Sequence, residues 1–152
     1  MNDDARSPAE EVGVLLKEAQ SLLHQRMDER LRPLGLSVPQ YACLQALRDS
    51  PGITGSELAR RVFVSRQSMN VLLQGLAGRG LVERSDRPGP RRERATALTA
   101  DAEGLLDSAR DAVADVAGTM TAPLTGDDVA RLRTLLAACR DALASPTAPG
   151  RP

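Results

Sequence analysis

Arginines in the middle of the chain are the side chains most suited to binding chemistry. Between residues 57 and 94 the sequence has nine arginines and four acidic residues, so this segment carries +5 although the whole chain is neutral. A basic segment between acidic flanks is typical of a surface that binds nucleic acid. A solvated charged face without a partner is the alternative interpretation of the charge alone.

Polar side chains come before most of these arginines, at the start of a helix predicted from Arg66 to about Arg79. The apolar residues of this helix share one face at helical spacing, which leaves the polar residues of its first turns on the other. A helix that enters the major groove needs such a short polar surface to reach base edges. The predicted base-contacting residues are Ser65, Arg66, Gln67, Ser68, Asn70 and Gln74.

A basic hairpin is predicted after this helix. Residues 81–84 alternate like a strand, residues 94–98 can pair with them, and the connection contains Pro88, Gly89 and Pro90. A thin basic hairpin can follow the duplex, and a narrow minor groove favours an inserted arginine. The predicted contacts of the hairpin with DNA are Arg87, Arg91, Arg92 and Arg94.

These residues are positioned by a chain that we expect to be mainly α-helical. The apolar periodicity predicts six helices and one hairpin. The helices are expected at about 9–31, 37–49, 56–62, 66–79, 99–120 and 125–144. The order of these elements is that of a winged helix-turn-helix: a short capped helix, a turn, a second capped helix that stops at Gly80, and a basic hairpin.

The predicted organisation places this winged helix-turn-helix at residues 34–98 and disordered tails at residues 1–8 and 145–152. The flanking helices, at 9–33 and 99–144, carry long apolar stripes that one small reader domain could not bury alone. We therefore expect these long N- and C-terminal helices to form a homodimer. A helical hairpin with an exposed arginine-rich loop, without a role in nucleic-acid binding, is the structural alternative.

Other kinds of site are poorly supported by the sequence. His24 is the only histidine, and no nucleophile or metal-ligand spacing accompanies it, so it is either an exposed polar residue or a sensor of ligand or protons. No phosphate loop or nucleophile elbow is present. We expect no enzymatic activity, no metal and no cofactor.

The two cysteines, Cys43 and Cys139, are far apart and outside any metal-binding pattern, so we expect both to be small buried hydrophobic residues. A redox sensor at Cys43 is the alternative, but its place in the apolar stripe of the second helix favours burial. No apolar run approaches the roughly 20 residues that span a bilayer, and the first ten residues lack a signal-peptide core. We expect a cytoplasmic protein without a membrane partner.

The stretch from Leu34 to Leu105 resembles the MarR family of bacterial regulators. The matching segments are LGLSVPQYACLQAL, PGITGSELARRVFVSRQSMNVLLQGLAGRGLVER and RRERATALTADAEGLL, with GLVER followed by a basic loop as the most specific element. The resemblance implies a dimer formed by the first, fifth and sixth helices, a fourth helix in the major groove and a wing in the minor groove. Two positions depart from the family pattern: Pro90 stands where the wing usually has Asp, and Val71 where the recognition helix often has Arg.

The resemblance also implies a function and its control. We expect a sequence-specific repressor that binds double-stranded DNA as a homodimer on a palindromic operator and is released by a small apolar or aromatic effector. The effector site would lie between the first two helices, the recognition helix and the fifth helix. Its expected lining is Leu23, His24, Met27, Tyr41, Leu44 and Leu73. A winged helix used only for protein contact remains the alternative, and it would not need the +5 segment.

Overall fold

A computed structural model describes residues 6–85 and 95–145 of the chain. The described part contains six α-helices, a short 3-10 turn and a two-stranded antiparallel sheet. In chain order they are α1 (Pro8–Leu31), the 3-10 turn (Arg32–Leu34), α2 (Val38–Asp49), α3 (Gly55–Val62), α4 (Arg66–Gly78), β1 (Val82–Arg84), β2 (Thr96–Leu98), α5 (Ala100–Thr121) and α6 (Gly126–Ala144). The predicted fold class, mainly α with a winged helix-turn-helix, is confirmed.

The first helix starts earlier than the sequence analysis placed it. Ser7 and Glu10 form a reciprocal capping box, in which the Ser7 hydroxyl accepts from the Glu10 amide and the Glu10 carboxylate accepts from the Ser7 amide. The predicted N-terminal tail, residues 1–8, is therefore wrong at its inner end, because Ser7 caps the helix and Pro8 belongs to its first turn. Residues 1–5 and 146–152 of the predicted tails lie outside the described residues.

The hydrophobic core lies in the residues up to Val116, which form one compact unit. Leucine and alanine side chains from α2, α3, α4 and the first half of α5 fill it, as expected for a chain with one Phe and one Tyr. The fully buried large side chains are Leu31, Leu44, Leu58, Met69, Leu73, Leu76 and Leu106. This core holds the amino-terminal end of the recognition helix in place from behind.

The hairpin is short, and its register is defined by three residue pairs. Val82 pairs with Leu98, Glu83 with Ala97, and Arg84 with Thr96. Gly80 adopts a left-handed conformation with φ of 72°, as predicted for the stop after α4. The Thr99 hydroxyl donates to the Gly80 carbonyl (2.7 Å) and accepts from the Ala102 amide (3.3 Å), so one side chain joins the α4 stop to the start of α5.

The described residues 117–145 belong to a second compact unit, most of which is α6. Thr125 and Asp128 cap α6 with another reciprocal box. No residue of α6 is buried, although its predicted stripe of leucines is present. No helix among the described residues is long and apolar enough to span a membrane.

Candidate nucleic-acid interface

The turn between α3 and α4 is tight because one residue takes an unusual conformation. The Thr54 hydroxyl caps α3 by accepting from the Glu57 amide, and α3 ends at Phe63 with φ of 61° and ψ of 42°. This left-handed conformation is uncommon for a residue with a side chain. Phe63 is also 90% exposed, so its ring contributes nothing to the core. Sequence reasoning placed a turn here but missed both features.

Ser65 performs a structural task at the start of the recognition helix. Its hydroxyl accepts from the Ser68 amide at 3.0 Å and donates to the Ser68 hydroxyl at 2.9 Å. This cap fixes the entry of the chain into α4. Ser65 and Ser68 were both predicted to contact bases. In this structure their side chains are hydrogen-bonded to each other.

The exposed face of α4 has the predicted composition. Met69, Leu73 and Leu76 are buried, and Leu72 is half-buried against the same core. The predicted base-contacting residues all lie on the exposed surface: Ser65, Arg66, Gln67, Ser68, Asn70 and Gln74. Val71, which was not among them, is 65% exposed on the same side. The helix therefore offers amide, hydroxyl, guanidinium and apolar groups to a partner.

Two arginines join elements of the fold that carries this surface. The sequence analysis predicted neither set of hydrogen bonds. Arg79, after the end of α4, donates to the Gly35 carbonyl at 2.6 Å. Arg48 of α2 donates to the Asp107 carboxylate at 2.8 Å and to the Glu103 carbonyl at 2.9 Å, which ties α2 to α5. Arg79 is 44 residues from Gly35 in the chain, and Arg48 is 59 residues from Asp107. No local sequence pattern could therefore reveal these hydrogen bonds.

The wing is described only in part. Its strands β1 and β2 pair as predicted, and the Ser85 amide donates to the Ala95 carbonyl at 2.9 Å, which extends the ladder towards the tip. The four predicted DNA contacts of the wing, Arg87, Arg91, Arg92 and Arg94, lie outside the described residues, and so does Pro90. Exposed Arg60, Arg61 and Arg66 supply positive charge on α3 and at the start of α4.

The six residues predicted to line an effector site have different surroundings. Leu44 and Leu73 are 0% and 1% exposed and belong to the core, so they do not reach an open surface. Met27 and Tyr41 are half-buried against that core, Leu23 is half-buried and His24 is exposed. Burial raises the pKa of the Tyr41 hydroxyl, so it stays protonated as a hydrogen-bond donor.

The cysteines differ from each other. Cys43 is buried as predicted, with its sulfur 4.0 Å from that of Met69, and burial raises the pKa of its thiol to about 12. A thiol held protonated in this way is a poor nucleophile towards oxidants. The expectation that Cys139 is also buried is wrong, because Cys139 is exposed, like the leucines of the stripe on α6.

Taken together, the capped α3, the tight turn, the exposed polar start of α4 and the paired strands define a protein of the winged helix-turn-helix class. Among the residues that the structure describes, no cluster of three or more His, Cys, Asp or Glu side chains is arranged to hold a metal ion.

Comparison with known proteins places the chain within this class. The model of the MarR family matches residues 34–93. The HTH-type transcriptional repressor Rv2887 of Mycobacterium tuberculosis is 36% identical over 116 residues, which cover 74% of this chain and 84% of that protein. The chain belongs to the MarR family of transcriptional regulators, as the resemblance indicated.

Two solved structures of transcriptional regulators have the same fold. The M. tuberculosis MarR family protein Rv2887, in complex with p-aminosalicylic acid, matches with a TM-score of 0.70 and 31% identity, over 84% of this chain and 96% of that one. The transcriptional repressor CouR, bound to a 23-mer DNA duplex, matches with a TM-score of 0.77 and 29% identity, over 84% of this chain and 91% of that one.

Proposed function

We propose that this protein is a repressor that binds a palindromic operator as a homodimer and is released by a small apolar or aromatic effector. The observation that carries the proposal is the start of α4, where polar side chains are exposed while the opposite face is buried in the core. Such a surface is suited to the major groove of DNA. CouR, a transcriptional repressor of the same fold, is bound to a DNA duplex in its solved structure.

Exposed apolar side chains on the terminal helices support the homodimer. Leu15 and Leu22 of α1 are 63% and 61% exposed, and Leu135 of α6 is 56% exposed. Apolar stripes of this length on a single chain mark an interaction surface. Sedimentation at micromolar concentration should give a mass of twice 16.2 kDa. A monomer that binds a palindromic site tightly would contradict the proposed assembly.

The DNA-binding step is tested by salt. A homodimer should address half-sites about 10 base pairs apart, and its affinity for the duplex should fall steeply as salt rises because bound phosphates release counterions. Fluorescence anisotropy with a selected palindromic duplex measures both. A winged helix used only for protein contact would show no salt-dependent binding to any duplex.

The recognition helix and the wing should divide the work. Arg92→Ala should weaken binding to every sequence and reduce the salt slope by about one unit, the share of one phosphate. Asn70→Ala should instead change the preferred bases, at about 1–3 kcal/mol per lost contact. Binding-site selection with both variants separates the two roles, and an unaltered motif and affinity for Asn70→Ala would remove it from the site.

An aromatic acid is the first effector to test, because Rv2887 is found in complex with p-aminosalicylic acid. The half-buried residues Leu23, Met27 and Tyr41, with exposed His24 beside them, offer an apolar wall with polar points, which is typical of small-molecule sites. A coupling of about 1–3 kcal/mol would weaken operator binding roughly 5–150-fold. Titration of the operator complex with p-aminosalicylate measures this, with Tyr41→Phe as a variant that removes one polar point.

Cysteine oxidation is the competing mode of control. The high pKa and burial of Cys43 argue against it. Operator affinity should therefore be unchanged by peroxide, in the wild type and in the Cys43→Ser, Cys139→Ser double variant alike. Release of the wild type by peroxide, but not of the double variant, would replace the proposed ligand with a thiol switch.

A further inference from the structure

One stripe of α4 points directly away from the core. Gln67, Val71, Gln74 and Gly78 follow the i, i+4, i+7, i+11 spacing of a single helix face. The core residues Met69, Leu72, Leu73 and Leu76 occupy the opposite face. Val71 is thus at the centre of the surface that would lie deepest in the major groove, with a glutamine about one turn away on each side.

An apolar side chain at this place adds little to the stability of the folded chain. Val71 is 65% exposed, so it contributes little to the core. Valine is also a weaker helix former than the alanine, glutamine or arginine that an exposed helix position usually favours. Its stiff χ1 does hold the two methyl groups in a defined direction, which suits contact with a rigid partner.

The neighbours of Val71 indicate which part of a base it meets. Glutamine amides pair with the N6 and N7 edge of adenine, whereas guanine is usually bound by arginine or lysine. The only charged residue of α4 is Arg66, in the first turn. The central part of the stripe therefore matches A·T pairs, and the apolar feature that an A·T pair presents in the major groove is the C5-methyl group of thymine.

We propose that Val71 packs against the C5-methyl group of a thymine in each half-site, next to adenines that Gln67 and Gln74 recognise. This inference rests on the proposed function and adds the base preference of its central contact. The chain would then select an A·T core in its half-site with an apolar contact, where an arginine would select guanine.

The experiment replaces thymine with uracil, which lacks only the methyl group. Operator duplexes are first selected from random DNA with the full-length protein, and each thymine of the half-site is then changed to deoxyuridine, one symmetric pair at a time. At one position the wild type should lose about fourfold in affinity per half-site, the share of one buried methyl group. At that position Val71→Ala should bind the thymine and uracil duplexes equally.

Gln74→Ala is the matched control on the same stripe. It should keep the preference of wild type for thymine over uracil, while the selected base at its own contact becomes less defined. Val71→Ala should unfold at the same temperature as wild type or slightly above it, because the side chain is exposed and alanine is the better helix former. Equal wild-type affinity for every uracil duplex, or an undiminished thymine preference in Val71→Ala, would overturn the inference and leave the proposed function intact. Failure to select any duplex with salt-dependent binding would overturn the proposed function itself.

Discussion

The recognition helix α4 and the C-terminal helix α6 are both amphipathic, but only α4 has its apolar face buried in the described part of the chain. In α4 the apolar side is closed, with Met69, Leu73 and Leu76 at most 1% exposed. In α6 no residue is buried, and Leu135 and Leu143 are 56% and 84% exposed. The exposed polar surface of α4 is therefore supported within a single chain. The apolar stripe of α6 is exposed in the part of the chain that the structure describes, and it is the stripe that the proposed homodimer would cover.

The largest effect is expected from a charged residue in the α6 stripe, which tests whether this stripe forms the dimer. Leu132→Glu should prevent assembly, because dimerisation would bury a carboxylate among leucines. Operator affinity should fall by about 100-fold or more, since two half-sites joined in one dimer gain from effective concentration. Sedimentation and anisotropy measure the two effects. Ala130→Glu, on the other side of α6, is the matched control and should remain a tight-binding dimer.

The thiol of Cys139 reports on the same surface. Cys139 is exposed in a single chain and lies within the α6 stripe, so a dimer that covers the stripe should shield it. Ellman's reagent should react slowly with the wild type and markedly faster with Leu132→Glu. Cys43 should stay unreactive in both, because with a pKa of about 12 only about one thiol in ten thousand is ionised at pH 8. Equal rates in the two proteins would mean that the dimer leaves α6 uncovered.

Adjacent residues of α4 should separate stability from DNA binding. Leu73→Ala removes a side chain that is 1% exposed and should lower the free energy of unfolding by about 2–5 kcal/mol. Gln74→Ala should change stability by less than about 0.5 kcal/mol and weaken operator binding by about 1–3 kcal/mol. Urea unfolding measures the stability of both variants, and fluorescence anisotropy measures their affinity for the operator. A mild effect of Leu73→Ala on unfolding would contradict the place of this side chain in the core.

The smallest expected effect concerns the turn before α4. Phe63 has a left-handed backbone and a 90% exposed ring, so Phe63→Gly relieves strain without losing core contacts. The free energy of unfolding should rise by roughly 0.5–1 kcal/mol. Val64→Gly, at a half-buried neighbour with ordinary backbone, should lower it. A destabilised Phe63→Gly would show that the ring has contacts in solution that the single chain lacks.

Local signals predicted most of the framework. The S-x-x-Q sequence at Ser37–Gln40 indicates a capping box, and the box forms, because a cap of this kind involves residues three apart. Thr54 caps α3 over the same spacing by accepting from the Glu57 amide. Ser7–Glu10 has the same form and was overlooked, although the signal was present in the sequence. The buried and exposed faces of α4 were also predictable, since helical periodicity alone separates them.

Features that only the tertiary structure decided involve residues that are distant in the chain. The bonds of Arg48 to α5 and of Arg79 to Gly35 join elements that no local pattern brings together. The fate of an apolar stripe is of the same kind: the pattern predicted such a stripe in α2 and in α6 equally well, yet Cys43 of α2 is buried and Cys139 of α6 is exposed. Periodicity establishes that a face is apolar, but burial also requires a neighbouring surface, and within residues 6–85 and 95–145 such a surface covers the apolar faces of α2 and α4 and leaves that of α6 exposed.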